Sequence, residues 1–595
     1  MKLSDVCLGA LLASLGSAGY ITKRDVSQVG EANKKHVFMS FDKLRGNEAS
    51  EASLSKRRVG HLKKRADGYV DVEIDNQNTF YSVDLEIGTP AQKVGVLIDT
   101  GSSDLWVPGS GNPFCSASRS SSKKKRQDYT ALLSSLLSAF GTDVATDYTY
   151  TGIASATGSA GSAGTQSVAT ALTSGTVAAT SIRSVPSSLA TLDCSEFGTF
   201  DTSKSSSWQS NDTRFYISYA DGTFADGDWG VDEIHLDDVN VTGLSFAVSN
   251  YTDSQFGVLG IGLTGSESTY SGQLSTYNRY QYDNFPIVLQ RNGVIEKNAY
   301  SVFLNDLDAD SGSILFGAVD HSKYTGTLYT VPMVNALRSR GYTEQIRLSI
   351  TLQGIGVTSS YGNETVTQTK YPALLDTGAT FCYFPTSLAA AIARSVSATY
   401  SSSSGYYFVD CDSGSDYDIV FDFGGFHIIS PLSDYIVTTR SSSQCVLGIL
   451  PQSDNEITLG DAFLTSAYVV YDLEELEISL AQAVYTNNDE QIEVIRDSVP
   501  SAVAAPGYSS TWSTAASLST GGNIFTVTNN ANGTVSTGTG SSGSSNSGSS
   551  TSGNSGSTST SSSSKKEGAA SSLPVPHLAA LICLLLSAVS IPSLF

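Results

Sequence analysis

One short stretch occurs twice and restricts the fold more than anything else in the chain. Val96-Leu97-Ile98-Asp99-Thr100-Gly101-Ser102-Ser103 recurs 277 residues later as Ala373-Leu374-Leu375-Asp376-Thr377-Gly378-Ala379-Thr380. The apolar residues send each incoming segment into a core, and the glycine after the carboxylate lets the backbone turn sharply. Each copy therefore delivers one aspartate from buried surroundings. Two carboxyls brought together by such a repeat cannot both ionise, so they share a proton and leave one as base and one as acid. That pairing suits the attack of water on an amide.

A chain of 595 residues is too long for one core, and the repeat spacing implies two comparable lobes. Short alternating segments and Gly/Ser turns predominate over long amphipathic runs, so the expected class is all-β. Val70, Val72 and Ile74 alternate with Asp71 and Glu73; Tyr81, Val83, Leu85 and Ile87 alternate with Ser82, Asp84 and Glu86. Trp106, just past the first motif, is large enough to brace a neighbouring segment. Phe215 to Thr223 reads as a hairpin with Tyr219 near its tip, followed by Asp221 and Gly222. Gly257-Val258-Leu259-Gly260 has a counterpart in Ile457-Thr458-Leu459-Gly460, a second duplication. These glycines lack the lysine and helix of a nucleotide loop. Short helices are predicted from Pro286 to Gly293 and after Pro385.

The ends of the chain have other tasks. Residues 1–18 read as a secretory signal peptide. Residues 19–65 are basic and end at Lys63-Lys64-Arg65, which reads as a pro-segment removed by a dibasic pro-protein convertase; a disordered basic arm is the alternative. The expected lobes are 66–255, with a low-complexity insertion at 116–193, and 256–496. The insertion carries Lys123-Lys124-Lys125-Arg126, and if Cys115 pairs with Cys194, cutting there gives two chains still tied together. A Ser/Thr/Gly-rich stalk is expected over 497–567, and 568–595 reads as a GPI-anchor signal with Gly568 as candidate site. A retained tail helix is the alternative to the anchor. Asn211, Asn240, Asn250, Asn363 and Asn532 head glycosylation sequons.

The net charge of −22 understates the acidity of the mature part, because residues 1–65 carry 13 basic against 6 acidic side chains. Nucleic acid is excluded as a partner by repulsion between polyanions, and basic substrates are favoured. Secretion permits disulfides. Outside the two terminal signals lie Cys115, Cys194, Cys382, Cys411 and Cys445, an odd number, and Cys382 reads as a buried inert thiol. Between the pro-segment and the tail only His235, His321 and His427 occur, with no metal-binding spacing, so no metal or cofactor is expected. Serine or cysteine nucleophile chemistry lacks a histidine-centred arrangement.

The paired Asp-Thr-Gly motifs, the Trp106 segment, the Tyr219 hairpin and the two Leu-Gly elements resemble those of pepsin-like aspartic proteases over residues 66–495. The dibasic pro-segment end, basic internal loop, stalk and anchor signal resemble the yapsin group of fungal cell-surface members. The resemblance implies a bilobal β fold with Asp99 and Asp376 facing each other across a cleft and sharing the lytic water, and with polypeptides as substrates. It further implies that Thr100, Gly101, Thr377 and Gly378 support the pair, that Ser102 hydrogen-bonds the first carboxylate and that the Tyr219 hairpin closes over substrate. Cys411 and Cys445 are implied as the second-lobe disulfide. Cleavage beside Lys or Arg is implied, with Asp221 placed to meet the basic side chain, at a plasma membrane reached through GPI lipid or at cell-wall glucan. Ala379 departs from the commonest pattern, which has a hydroxyl there; losing that bond raises the carboxyl's pKa. The rival reading is a catalytically silent wall or adhesion protein carrying the same fold.

Overall fold

Strands buried on both faces read as unbroken apolar runs, and strands with one solvated face alternate. Gln92–Asp99 is of the first kind, buried from Val94 to its end, while Thr79–Ile87 exposes Asp84 and Glu86 between buried Val83, Leu85 and Ile87. In this computed structural model residues 35–45, 79–115 and 192–525 are described, apart from 221, 237–238, 273, 275–278, 439–443 and 486–489. The described part is all-β and bilobal, and the helices Phe285–Arg291, Thr386–Ser395 and Asp461–Leu464 pack residues into its core.

Fourteen strands join in one sheet that draws on both halves of the chain. Gln92–Asp99 lies antiparallel to Thr79–Ile87 and parallel to Gly257–Gly260, with Asp99 opposite Gly260. The second half repeats the arrangement in a five-stranded sheet. There Tyr371–Leu375 lies antiparallel to Ser349–Leu352 and parallel to Ile457–Leu459, with Leu375 opposite Leu459. Each aspartate thus leaves a strand clamped between the same two kinds of neighbour. Beneath both, Ile98, Leu259, Tyr300, Leu375 and Tyr471 belong to one hydrophobic cluster, so a single core supports the two turns.

Three features differ from the expected boundaries. Gly257–Gly260 pairs with the first Asp strand and so belongs to the first half, not to a lobe opening at residue 256. Val37–Arg45, inside the basic 19–65 segment, is a strand between Ser311–Phe316 and Thr79–Ile87 in the large sheet. Its Met39 and Phe41 are buried, Phe41 meets the Tyr81 ring edge-on at 5.0 Å, and the buried Lys43 ammonium donates to the Asp306 carbonyl. The third feature is at the far end, where packing continues past residue 497. Ala502–Ala504 adds a parallel edge strand to Tyr324–Pro332, and the chain then straps across the second half. The Trp512 amide donates to Thr351 Oγ1 at 2.9 Å, Thr367 Oγ1 to the Ser519 carbonyl at 2.6 Å, and the Ile524 amide to Thr365 Oγ1 at 3.1 Å. A Cβ on Gly356 would stand 2.7 Å from the Phe525 ring, so that strand is glycine where the strap seats. The strand-like stretch 70–74, most of the 116–193 insertion and the stalk and anchor segments beyond Phe525 lie outside the described residues.

Candidate active site

The two turns are locked by a reciprocal lattice. The Thr100 amide donates to Thr377 Oγ1 at 3.1 Å and the Thr377 amide to Thr100 Oγ1 at 2.9 Å. Each hydroxyl then donates to the carbonyl preceding the other aspartate, Thr100 to Leu375 at 2.9 Å and Thr377 to Ile98 at 3.0 Å. Both threonines are buried, so these bonds act where water cannot compete. The lattice leaves no room beside the carboxyls: a Cβ on Gly101 would stand 2.6 Å from Asp376 Oδ1, and one on Gly378 2.5 Å from Asp99 Oδ1.

The carboxyls are equivalent in backbone but not in bonding. Gly101 donates to Asp99 at 2.8 Å and Gly378 to Asp376 at 2.9 Å. Ser102 Oγ adds a second donor to Asp99 at 2.6 Å, whereas Ala379 offers none to Asp376. Burial first, then the charge and hydrogen bond of Asp99, push Asp376 up to about 7, while Arg347 acts against them. A pair in contact with one member so raised holds a shared proton through the acidic range.

The hairpin of Gln209–Ser218 and Phe224–Leu236 ends in a tight turn in which the Gly222 amide donates to the Tyr219 carbonyl at 3.0 Å. Trp106 Nε1 donates to the Tyr219 hydroxyl at 2.7 Å, so the first motif's own tryptophan holds the hairpin tip. Asp221 lies outside the described residues. Cys115–Cys194 and Cys411–Cys445 are disulfides, and burial raises the free Cys382 thiol to about 12. Asn211, Asn240, Asn250 and Asn363 are exposed; Asn532 and Gly568 are not among the described residues.

Sequence reasoning missed a second acidic pair behind the hairpin. Asp104 and Glu267 are buried, and Tyr282 serves both: its hydroxyl donates to Asp104 at 2.7 Å and its amide to Glu267 at 3.0 Å. Its ring packs edge-on against Trp229, 5.1 Å away, in the cluster that also contains Trp106 and Phe215. No spacing joins residues 104, 267 and 282; only the folded chain does.

This fold and this paired-carboxyl turn define a pepsin-like aspartic endopeptidase. A family model described as eukaryotic aspartyl protease matches residues 80–483, and the chain belongs to that family. It is 50% identical over 545 residues to aspartic proteinase 3 of Saccharomyces cerevisiae, covering 89% of this chain and 92% of that one. It is 48% identical over 513 residues to the same yeast's aspartic proteinase MKC7, covering 84% and 82%, and 43% identical over 480 residues to its yapsin-3, covering 80% of each.

Proposed function

We propose that Asp99 and Asp376 carry out the hydrolysis, on polypeptides reaching the cell surface or passing through the secretory pathway. The observation that supports this most directly is the Thr100–Thr377 lattice, which ties the two carboxyl-bearing turns to each other across 277 residues. A water between the carboxyls loses its proton to the ionised member while the other protonates the scissile carbonyl oxygen. A tetrahedral diol forms and collapses, with no acyl-enzyme. Asp376, pushed up to about 7, keeps the proton and serves as the acid, and Asp99, which accepts from Ser102 and the Gly101 amide, serves as the base. The Tyr219 hairpin, tethered to Trp106, closes over the substrate and excludes water.

Preference for Lys or Arg beside the scissile bond follows from Asp221 near the hairpin tip and from the acidic mature chain. Export, removal of the segment ending at Arg65 and GPI attachment near Gly568 rest on the terminal sequences alone. The strap's packing supports placing the start of the Ser/Thr/Gly-rich stalk beyond Phe525 rather than at residue 497.

The test is cleavage of a peptide library from pH 3 to 7 by purified protein beside Asp99→Asn and Asp376→Asn, with a statine-type inhibitor control. Undiminished hydrolysis by either variant would overturn the assignment. Asp221→Thr is expected to lose selectivity for Lys over Leu peptides; unchanged selectivity removes Asp221 from the reading.

A further inference from the structure

Ser349 stands opposite Leu374 in the antiparallel ladder beside the second Asp strand, and the Leu375 amide bonds the Leu348 carbonyl at 3.2 Å. Following that register sets Arg347 opposite Asp376. Residues directly opposite in such a ladder project to one face, with Cβ atoms about 5 Å apart. The Arg347 side chain therefore leaves the same face as that of Asp376.

Arg347 is also held. Its Nη1 is ion-paired with Glu456, whose other oxygen accepts from Ser349 Oγ at 2.6 Å. Glu456 is 9% exposed and immediately precedes Ile457–Leu459, the strand on the other side of Tyr371–Leu375. One cation and its anion thus come from the segments entering the two strands that flank Tyr371–Leu375, and the bracing hydroxyl from the first residue of one of them. Among the described residues, the buried Tyr300 and Tyr471 from the shared core are the other ionisable groups acting with the dyad, and Arg347 is the cation acting on Asp376.

We propose that Arg347, held by Glu456, is a positioning residue of the dyad that eases loss of its shared proton and so sets where hydrolysis stops on the alkaline side. The proposal rests on the reading of Asp99 and Asp376 as the catalytic pair. A cation on this face stabilises the doubly ionised, inactive dyad relative to the singly ionised, active one. The enzyme's working range is thereby kept acidic, against the opposing effect of Ala379.

The two ends of the ion pair have opposite signs, which separates an electrostatic role from a merely structural one. In pH profiles of kcat/KM on a soluble peptide, Arg347→Gln is expected to move the alkaline limb up by about 0.5 pH unit, roughly a threefold gain at a pH on that limb. Glu456→Gln, which leaves the cation uncompensated, is expected to move it down. Arg347→Lys restores the wild-type limb. Arg347→Gln leaves Glu456 without its cation, so the Arg347→Gln/Glu456→Gln double variant serves where the single one fails to fold, and its limb is expected to lie above wild type. A limb unmoved by removal of the cation, or shifts of the same sign in the two single variants, would overturn the proposal. Asp376→Asn, run alongside, separates the two levels: if it is inactive while the limb stays fixed, only the role of Arg347 fails. Full activity in Asp376→Asn refutes the dyad itself.

Discussion

Replacing Glu267 by glutamine isolates the pH dependence of a carboxyl buried without a cation. Its side chain is fully inaccessible; Oε2 accepts the Tyr282 amide, and Oε1 has no hydrogen-bond partner among the described residues. Burial, helped by the charges of Asp104 and Asp283 and opposed by the Tyr282 amide, pushes the group up to about 9 from an ordinary 4.5. The folded state therefore holds a proton that the unfolded chain releases. The stabilisation is complete below pH 4.5 and is lost as pH rises toward 9. At pH 7 the gap of 2.5 units above 4.5 corresponds to about 3 kcal/mol of lost stability, at about 1.4 kcal/mol per unit. Glutamine keeps the shape and the acceptor for Tyr282 but does not titrate. Thermal unfolding in the Asp99→Asn background, which prevents self-digestion, is expected to give similar Tm values for both proteins at pH 4. By pH 7 Glu267→Gln should lead by roughly 5 °C. Parallel Tm curves over that range would refute the reasoning, because they would mean that Glu267 titrates alike in the folded and unfolded chains.

Three further expectations concern the dyad and the two chain ends. Ala379→Thr supplies a donor to ionised Asp376 and lowers its pKa, so both limbs of the rate profile should move to lower pH; an unmoved acidic limb sinks this. Phe41→Ala should destabilise the precursor by about 3–5 kcal/mol and reduce its secreted yield, yet leave the denaturant midpoint of the mature enzyme unchanged once the segment is removed. Ile524 is only 4% exposed, so Ile524→Ala should cost about 2–4 kcal/mol in urea unfolding, whereas a residue in a free stalk would cost nothing measurable.

The two Asp-Thr-Gly turns were legible because their chemistry is local. An apolar strand, a carboxylate and a glycine are contiguous, and the duplication announces the symmetry that brings them together. The Tyr219 hairpin was legible for the same reason, as alternation followed by a turn. The strap was not: Trp512 and Ile524 dock through backbone amides and Ser519 through its carbonyl, all on threonine hydroxyls, with a glycine seat at Gly356, and none of these leaves a hydrophobic period. The strand Val37–Arg45 was hidden by composition, since its basic surroundings mask the alternation of Met39, Phe41 and Lys43 that faces the core.

By itself the amino-acid order determined the class, the two aspartates and the turns that present them, since those depend on residues adjacent in the chain. The charge environment of the aspartates was decided only in three dimensions. The ladder beside the second Asp strand sets Arg347 opposite Asp376, Glu456 reaches Arg347 from beyond another strand, and Asp104 and Glu267 share Tyr282 across 178 and 15 residues. Electrostatic energy depends on distance through space and on exclusion of water, and neither is written in sequence separation.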